Sequence, residues 1–155
     1  MSFFPILKAP NVSGYTTLCN FPPNNWEINH TKSQFISLTY MEDNMWHSDQ
    51  LGILNSNDLK TFYATEIEPL IPDGELPILS LSEEPLLKTS KQLPALKFPV
   101  TTTPWWRATL GLSSQFSATS YQGELPIFPS QGSLLSFAPF LQFGQTIENF
   151  VLLVN

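Results

Sequence analysis

With 155 residues and a net charge of −6, the chain has room for one domain with a continuous core and none for a second of full size. Its charged share is 13%, about half the usual ~25%, and no cluster of Lys or Arg occurs, which excludes the basic stripe that nucleic-acid binding requires. An aromatic share of 13% and fourteen prolines exclude both a disordered chain and one of long helices, and favour many short strands.

Cys19 is the single cysteine and cannot form an internal disulfide, which favours a reducing compartment. No apolar run approaches the ~18 residues of a membrane helix, and no charged leader precedes an apolar core. The expectation is a soluble, cytoplasmic protein. Asn11-Val12-Ser13 and Asn29-His30-Thr31 match the glycosylation sequon, but a chain rich in Asn, Ser and Thr contains such triplets by accident.

In chain order, Phe3, Phe4, Ile6 and Leu7 are apolar but interrupted by Pro5, the pattern of an extended edge segment. Residues 11–14 read as a turn with Gly14 supplying φ > 0, and residues 15–20 as a short strand closed by Pro22 and Pro23. Trp26, Glu27 and Ile28 suggest another short strand. Residues 34–41 form a better one, with Ile36, Leu38 and Tyr40 on one face and Ser37 and Thr39 on the other. Residues 42–49 read as a polar loop carrying Trp46 and His47.

Ser56, Asn57 and Asp58 could cap a helix in which Leu59, Phe62, Tyr63, Ile67 and Leu70 follow helical spacing up to Pro69. Residues 61–65 also have good strand composition, but a single short helix is the expectation. Residues 69–104 are proline-rich and too leucine-rich for a solvated tether, so they are expected to wrap the domain as edge strands and loops. Glu83, Glu84, Lys88 and Lys91 mark a solvated stretch within it. Gly74-Glu75-Leu76-Pro77-Ile78 recurs as Gly123-Glu124-Leu125-Pro126-Ile127; the flanks do not align, so the repeat is read as coincidence rather than duplication.

The clearest strand-turn-strand signal spans residues 103–124. On a strand over 105–112, Trp106, Ala108, Leu110 and Leu112 take the core face, and Trp105, Arg107, Thr109 and Gly111 the other. A three-residue turn at Ser113, Ser114 and Gln115 would set Leu112 opposite Phe116, Thr109 opposite Thr119 and Arg107 opposite Tyr121. The outer face would then show Trp105, Arg107, Thr109, Thr119 and Tyr121, with Glu124 just beyond. An aromatic platform beside a guanidinium and a carboxylate suits a sugar ring or a peptide. The competing reading packs both tryptophans in a two-sided core.

Further on, Pro139 breaks a Phe- and Leu-rich run, and residues 147–154 are the most apolar strand of all. A buried strand ending so close to a chain terminus is the pattern of a domain cut from a longer chain.

Other chemistry is sparse. Glu42, Asp43, His47 and Asp49 are the densest group of acid-base or metal-capable residues, yet they lack zinc or calcium ligand spacing, so no metal and no cofactor are expected. His47 and Asp49 beside Trp46 are a weak candidate acid-base pair. His30 reads as a partly buried or surface histidine, and Cys19 as a small core residue, having no cationic neighbour to lower its pKa. Gly-x-Ser-x-Gly, phosphate-loop and His-Glu-x-x-His motifs are absent.

These features together predict an all-β single domain over residues 1–155, an antiparallel two-sheet sandwich or barrel-like relative with at most one short helix and long proline-rich connections. The expected function is a non-catalytic module binding carbohydrate or extended peptide through Trp105, Arg107, Thr109, Tyr121 and Glu124. One alternative is an assembly domain meeting a protein partner at apolar edges such as residues 137–143 and 147–154. The other is a small enzyme or accessory domain using His47 and Asp49.

Overall fold

A computed structural model of the chain describes residues 2–7, 11–21, 32–93 and 108–122. These form strands β1 (Ser2–Pro5), β2 (Ser13–Cys19), β3 (Gln34–Glu42), β4 (Met45–Leu54) and β5 (Leu59–Tyr63), the one-turn helix α1 (Ala64–Ile67) with a 3-10 turn at Glu68–Leu70, and strands β6 (Ile78–Ser82), β7 (Thr89–Ser90), β8 (Ala108–Ser113) and β9 (Ala118–Gln122). They make two antiparallel sheets, one ordered β1-β6-β3-β4-β7 and the other β5-β2-β8-β9. The fold is mostly β and sandwich-like, as the composition implies.

One core joins the sheets. Phe4, Ile36, Leu38, Leu54, Leu79 and Leu81 come from the five-stranded sheet, and Leu18, Phe62, Ala108 and Leu110 from the four-stranded one. Ile6, Ala64 and Ile67 close its sides. The face assignment read from residues 34–41 holds, since Ile36 and Leu38 are fully buried and Tyr40 packs against the same core, but the strand is not half-buried as its alternation suggests: Ser37 and Thr39 on the other face are buried too. Buried Thr16 donates its hydroxyl to the Pro5 carbonyl at 2.9 Å, tying the inner face of β2 to β1. Asn20 donates its side-chain amide to the Leu54 carbonyl at 3.0 Å and to the Lys32 carbonyl at 2.9 Å, fastening the end of β2 to β4 and to the segment entering β3.

Four expectations change. Residues 42–49 are not a loop: Asp43 and Asn44 take φ of 49° and 59° and close a two-residue hairpin in which Glu42 pairs with Met45. Two successive residues with positive φ match the strands' own twist, and Asp and Asn tolerate that region better than most. The predicted helix over 59–70 is mostly strand; Ser56, Asn57 and Asp58 form a turn, with Asn57 at φ 66°, and helix begins only at Ala64. Leu59–Tyr63 pair along the whole of their length with β2, and that ladder, together with the burial of Phe62, outweighs a short helix, which is marginal on its own.

Gly14 is not the turn residue. Asn11 supplies the positive φ of 62°, while Gly14 sits in β2 because a Cβ there would land on the Leu7 carbonyl. Finally, residues 78–82 do not wrap the domain as an edge. β6 lies between β1 and β3 with all five residues buried. Gly74, at φ 88°, precedes it; the second copy of the repeated pentapeptide lies outside the described residues, as do residues 26–28 and the Phe-rich and terminal segments 137–143 and 147–154.

Candidate functional site

The hairpin singled out in the sequence exists, with a different register. Its turn spans four residues rather than three: the Ser114 amide donates to the Ser117 carbonyl at 2.7 Å, and the Ser117 and Phe116 amides donate back to the Ser114 hydroxyl. Phe116 therefore sits in the turn, 91% exposed, and β9 starts at Ala118. Ser113 pairs with Ala118, Leu112 with Thr119, Leu110 with Tyr121 and Thr109 with Gln122. The pairing is displaced by an odd number of residues from the expected one, and an odd displacement exchanges faces. Tyr121 and Thr119 thus stand opposite Leu110 and Leu112, the residues of the core-facing set, and not beside Thr109.

Thr109 is where the sequence placed it, partly exposed on the side away from the core, while Ala108 and Leu110 are buried. Trp105, Arg107 and Glu124 lie outside the described residues. The aromatic partners of Thr109 come instead from β2 and β5. Thr17 pairs with Thr61 on one side and Thr109 on the other; one step along, Tyr15 pairs with Tyr63 and Gly111. Two rows result on one face, Tyr63-Tyr15-Gly111 and Thr61-Thr17-Thr109.

Local sequence explains those rows. In β2 the alternation is Thr16 and Leu18 inward, Tyr15 and Thr17 outward; in β5 Phe62 is inward, Thr61 and Tyr63 outward. The Tyr15 and Tyr63 rings lie 6.2 Å apart at 48°. Gly111 lets the Tyr15 ring lie flat across β8, since a Cβ there would fall inside that ring. The Thr17 and Thr61 hydroxyls share a 2.8 Å hydrogen bond, and Tyr63 is 45% exposed. Sequence reasoning missed the two tyrosines because a site spread over three strands needs strand order; the Tyr15-x-Thr17 and Thr61-x-Tyr63 alternations were the available signal.

At the end of this sheet, where β2 begins, β5 ends and β8 turns toward β9, lies a groove of about 490 Å³. Asn11, Ser13, Thr65, Glu68, Ser113 and Gln115 are among the polar residues that line it.

The other sequence candidates meet at the β3–β4 hairpin. The His47 ring stacks on Tyr40 at 5.5 Å and 11°, with its Nε2 3.9 Å from the Glu42 carboxylate. The Tyr40 hydroxyl donates to Asp49 at 3.4 Å. Burial, and then the charges of Asp49 and Glu42, raise the Tyr40 pKa and keep that hydroxyl protonated. The structure thus brings His47 and Asp49 to one strand and sets both against Tyr40, the imidazole on its ring and the carboxylate at its hydroxyl. Among the described residues no group of three or more His, Cys, Asp or Glu is arranged to hold a metal ion. Also among them, no helix is long and apolar enough to cross a membrane. Cys19 is buried and its thiol pKa is pushed up by that burial, so it stays a thiol rather than a nucleophilic thiolate.

Compared with protein-family models, curated proteins and solved structures, the chain matches none.

Proposed function

We propose that the protein is a non-catalytic binding module that receives a carbohydrate or an extended peptide on the outer face of its four-stranded sheet. The observation that carries the reading is the pair of adjoining rows, Tyr63-Tyr15 above Gly111 and Thr61-Thr17-Thr109 beside it. Tyrosine offers a broad apolar body with a polar tip, so it can cover a ring or chain while keeping its hydroxyl in contact with water or ligand. Because β-sheet backbone holds these side chains, little ordering is needed when a ligand arrives. The expected Trp105 and Arg107 contributions remain part of the proposal, as both residues lie within four positions of Thr109 in the sequence.

A screen of the protein against immobilised glycans and peptides, followed by titration of each hit with Tyr63→Ala, tests it. At a half-exposed position the change should leave the melting temperature nearly unaltered while weakening binding at least about tenfold. Unchanged affinity in Tyr63→Ala and in Gly111→Ala, which would displace the Tyr15 ring, would show that the ligand sits elsewhere.

A further inference from the structure

We infer that the groove at the end of the four-stranded sheet is a subsite for one terminal unit of a neutral oligosaccharide whose next units lie over Tyr15 and Tyr63. The inference rests on the binding-module reading and names its ligand class.

Position is the first reason. Ser13 and Ser113 line the groove and pair with one another two residues beyond the Tyr15 and Gly111 pair. Two strand residues span about 7 Å, comparable with one sugar unit and its linkage, and residues two apart share a face. The groove therefore continues the tyrosine row in the same direction. Its volume falls within the range of ~300–1,000 Å³ usual for small-molecule sites.

Chemistry is the second. Asn11 and Gln115 each offer an amide donor and acceptor, Ser13 and Thr65 offer hydroxyls that do both, and Ser113, whose hydroxyl donates to the Ser13 carbonyl at 3.3 Å, can still accept, which matches a ligand made of hydroxyl groups. Among the described residues that line the groove none is Lys or Arg, Glu68 is acidic, and the chain carries −6, which favours a neutral ligand over one with phosphate, sulfate or uronate groups.

Sheet geometry is the third. A peptide that binds by strand addition gains its affinity at a sheet edge through main-chain hydrogen bonds. The face of β2 and β8 offers side chains only, because both strands are paired on both sides and their backbone groups lie in the plane of the sheet. Rings that stack flat and hydroxyls that bond outward suit that face better.

The test uses the intact protein with three probe sets: neutral oligosaccharides from di- to hexasaccharide, matched oligosaccharides containing uronate units, and neutral extended peptides. Binding is read by calorimetry in wild type, Tyr63→Ala, Tyr63→Phe and the double variant Thr65→Ala/Gln115→Ala. Thr65, Gln115 and Tyr63 are all exposed, so the variants should keep the wild-type melting temperature. The expected result is binding of neutral saccharides alone, weakened about tenfold in the groove double variant, at least as much in Tyr63→Ala, and largely retained in Tyr63→Phe. If Tyr63→Ala abolishes saccharide binding while the double variant binds normally, the groove assignment falls and the sheet-face reading stands. Binding of peptides or uronates in preference to neutral saccharides overturns the ligand class. Failure of every probe overturns both.

Discussion

The two sheets share one core, yet they treat their second faces in opposite ways. In the five-stranded sheet the side facing away from the four-stranded sheet is buried as well: Phe3, Ser37, Thr39, Ser48, Ile78, Ser80 and Ser82 all have almost no exposed surface. Apart from Phe3 and Ile78 its residues are small and hydroxylic, and Thr39 and Ser48 share a 3.3 Å hydrogen bond across it. In the four-stranded sheet the corresponding side stays partly open and carries Tyr15, Thr17, Thr61, Tyr63 and Thr109. Small side chains allow close approach of whatever covers a sheet, whereas large rings with polar tips tolerate water. The contrast locates the candidate site more firmly than any single residue does.

The largest effect should come from the shared core. Leu38→Ala removes a fully buried side chain at the centre of the five-stranded sheet and should cost about 2–5 kcal/mol in denaturant unfolding, against under about 1 kcal/mol for Tyr63→Ala on the open face. Equal losses would erase the distinction between the faces. Next is Gly14→Ala, expected to cost about 1–3 kcal/mol because the added methyl meets backbone, which cannot swing aside.

Ser80→Ala sharpens the comparison through its sign. The Ser80 hydroxyl is fully buried and has no hydrogen-bond partner, so replacing it with a methyl should stabilise the protein by about 1 kcal/mol. A clear loss of stability would mean that the Ser80 hydroxyl is hydrogen-bonded in the folded protein.

The smallest effect is a pH dependence. Cys19 and Tyr40 both have folded-state pKa values raised above their reference values of 9.0 and 10.0. Above about pH 9 the unfolded chain gives up these protons before the folded one does, so stability present at neutral pH declines as pH rises through the folded-state values. Melting temperature should fall across that alkaline range, and the fall should be shallower in Cys19→Ala/Tyr40→Phe.

Much of the fold was legible where side-chain alternation was strong. Residues 34–41 declared both faces of β3, and Ala108 and Leu110 declared the inner face of β8. Turn chemistry was less transparent. Asp43 and Asn44 form a two-residue hairpin turn, but His47 and Asp49 beside them disguised a strand as a polar loop. At 113–117, three serines could close turns of more than one length, and only their mutual hydrogen bonds chose the four-residue one. That choice set Tyr121 opposite Leu110, where the expected three-residue turn would have set Ala118, three positions earlier on β9.

By itself, the sequence determined that this is a β-rich chain with short elements, an acidic surface balance and an alternating inner face, because composition and period-two patterning act within a single strand. Tertiary structure alone decided which strands became neighbours, that β6 is central, and that Tyr15, Tyr63 and Thr109 share one surface. Strand order and register join residues nearly a hundred positions apart, and the free energy that selects them comes from packing two sheets against each other, a quantity no local stretch contains.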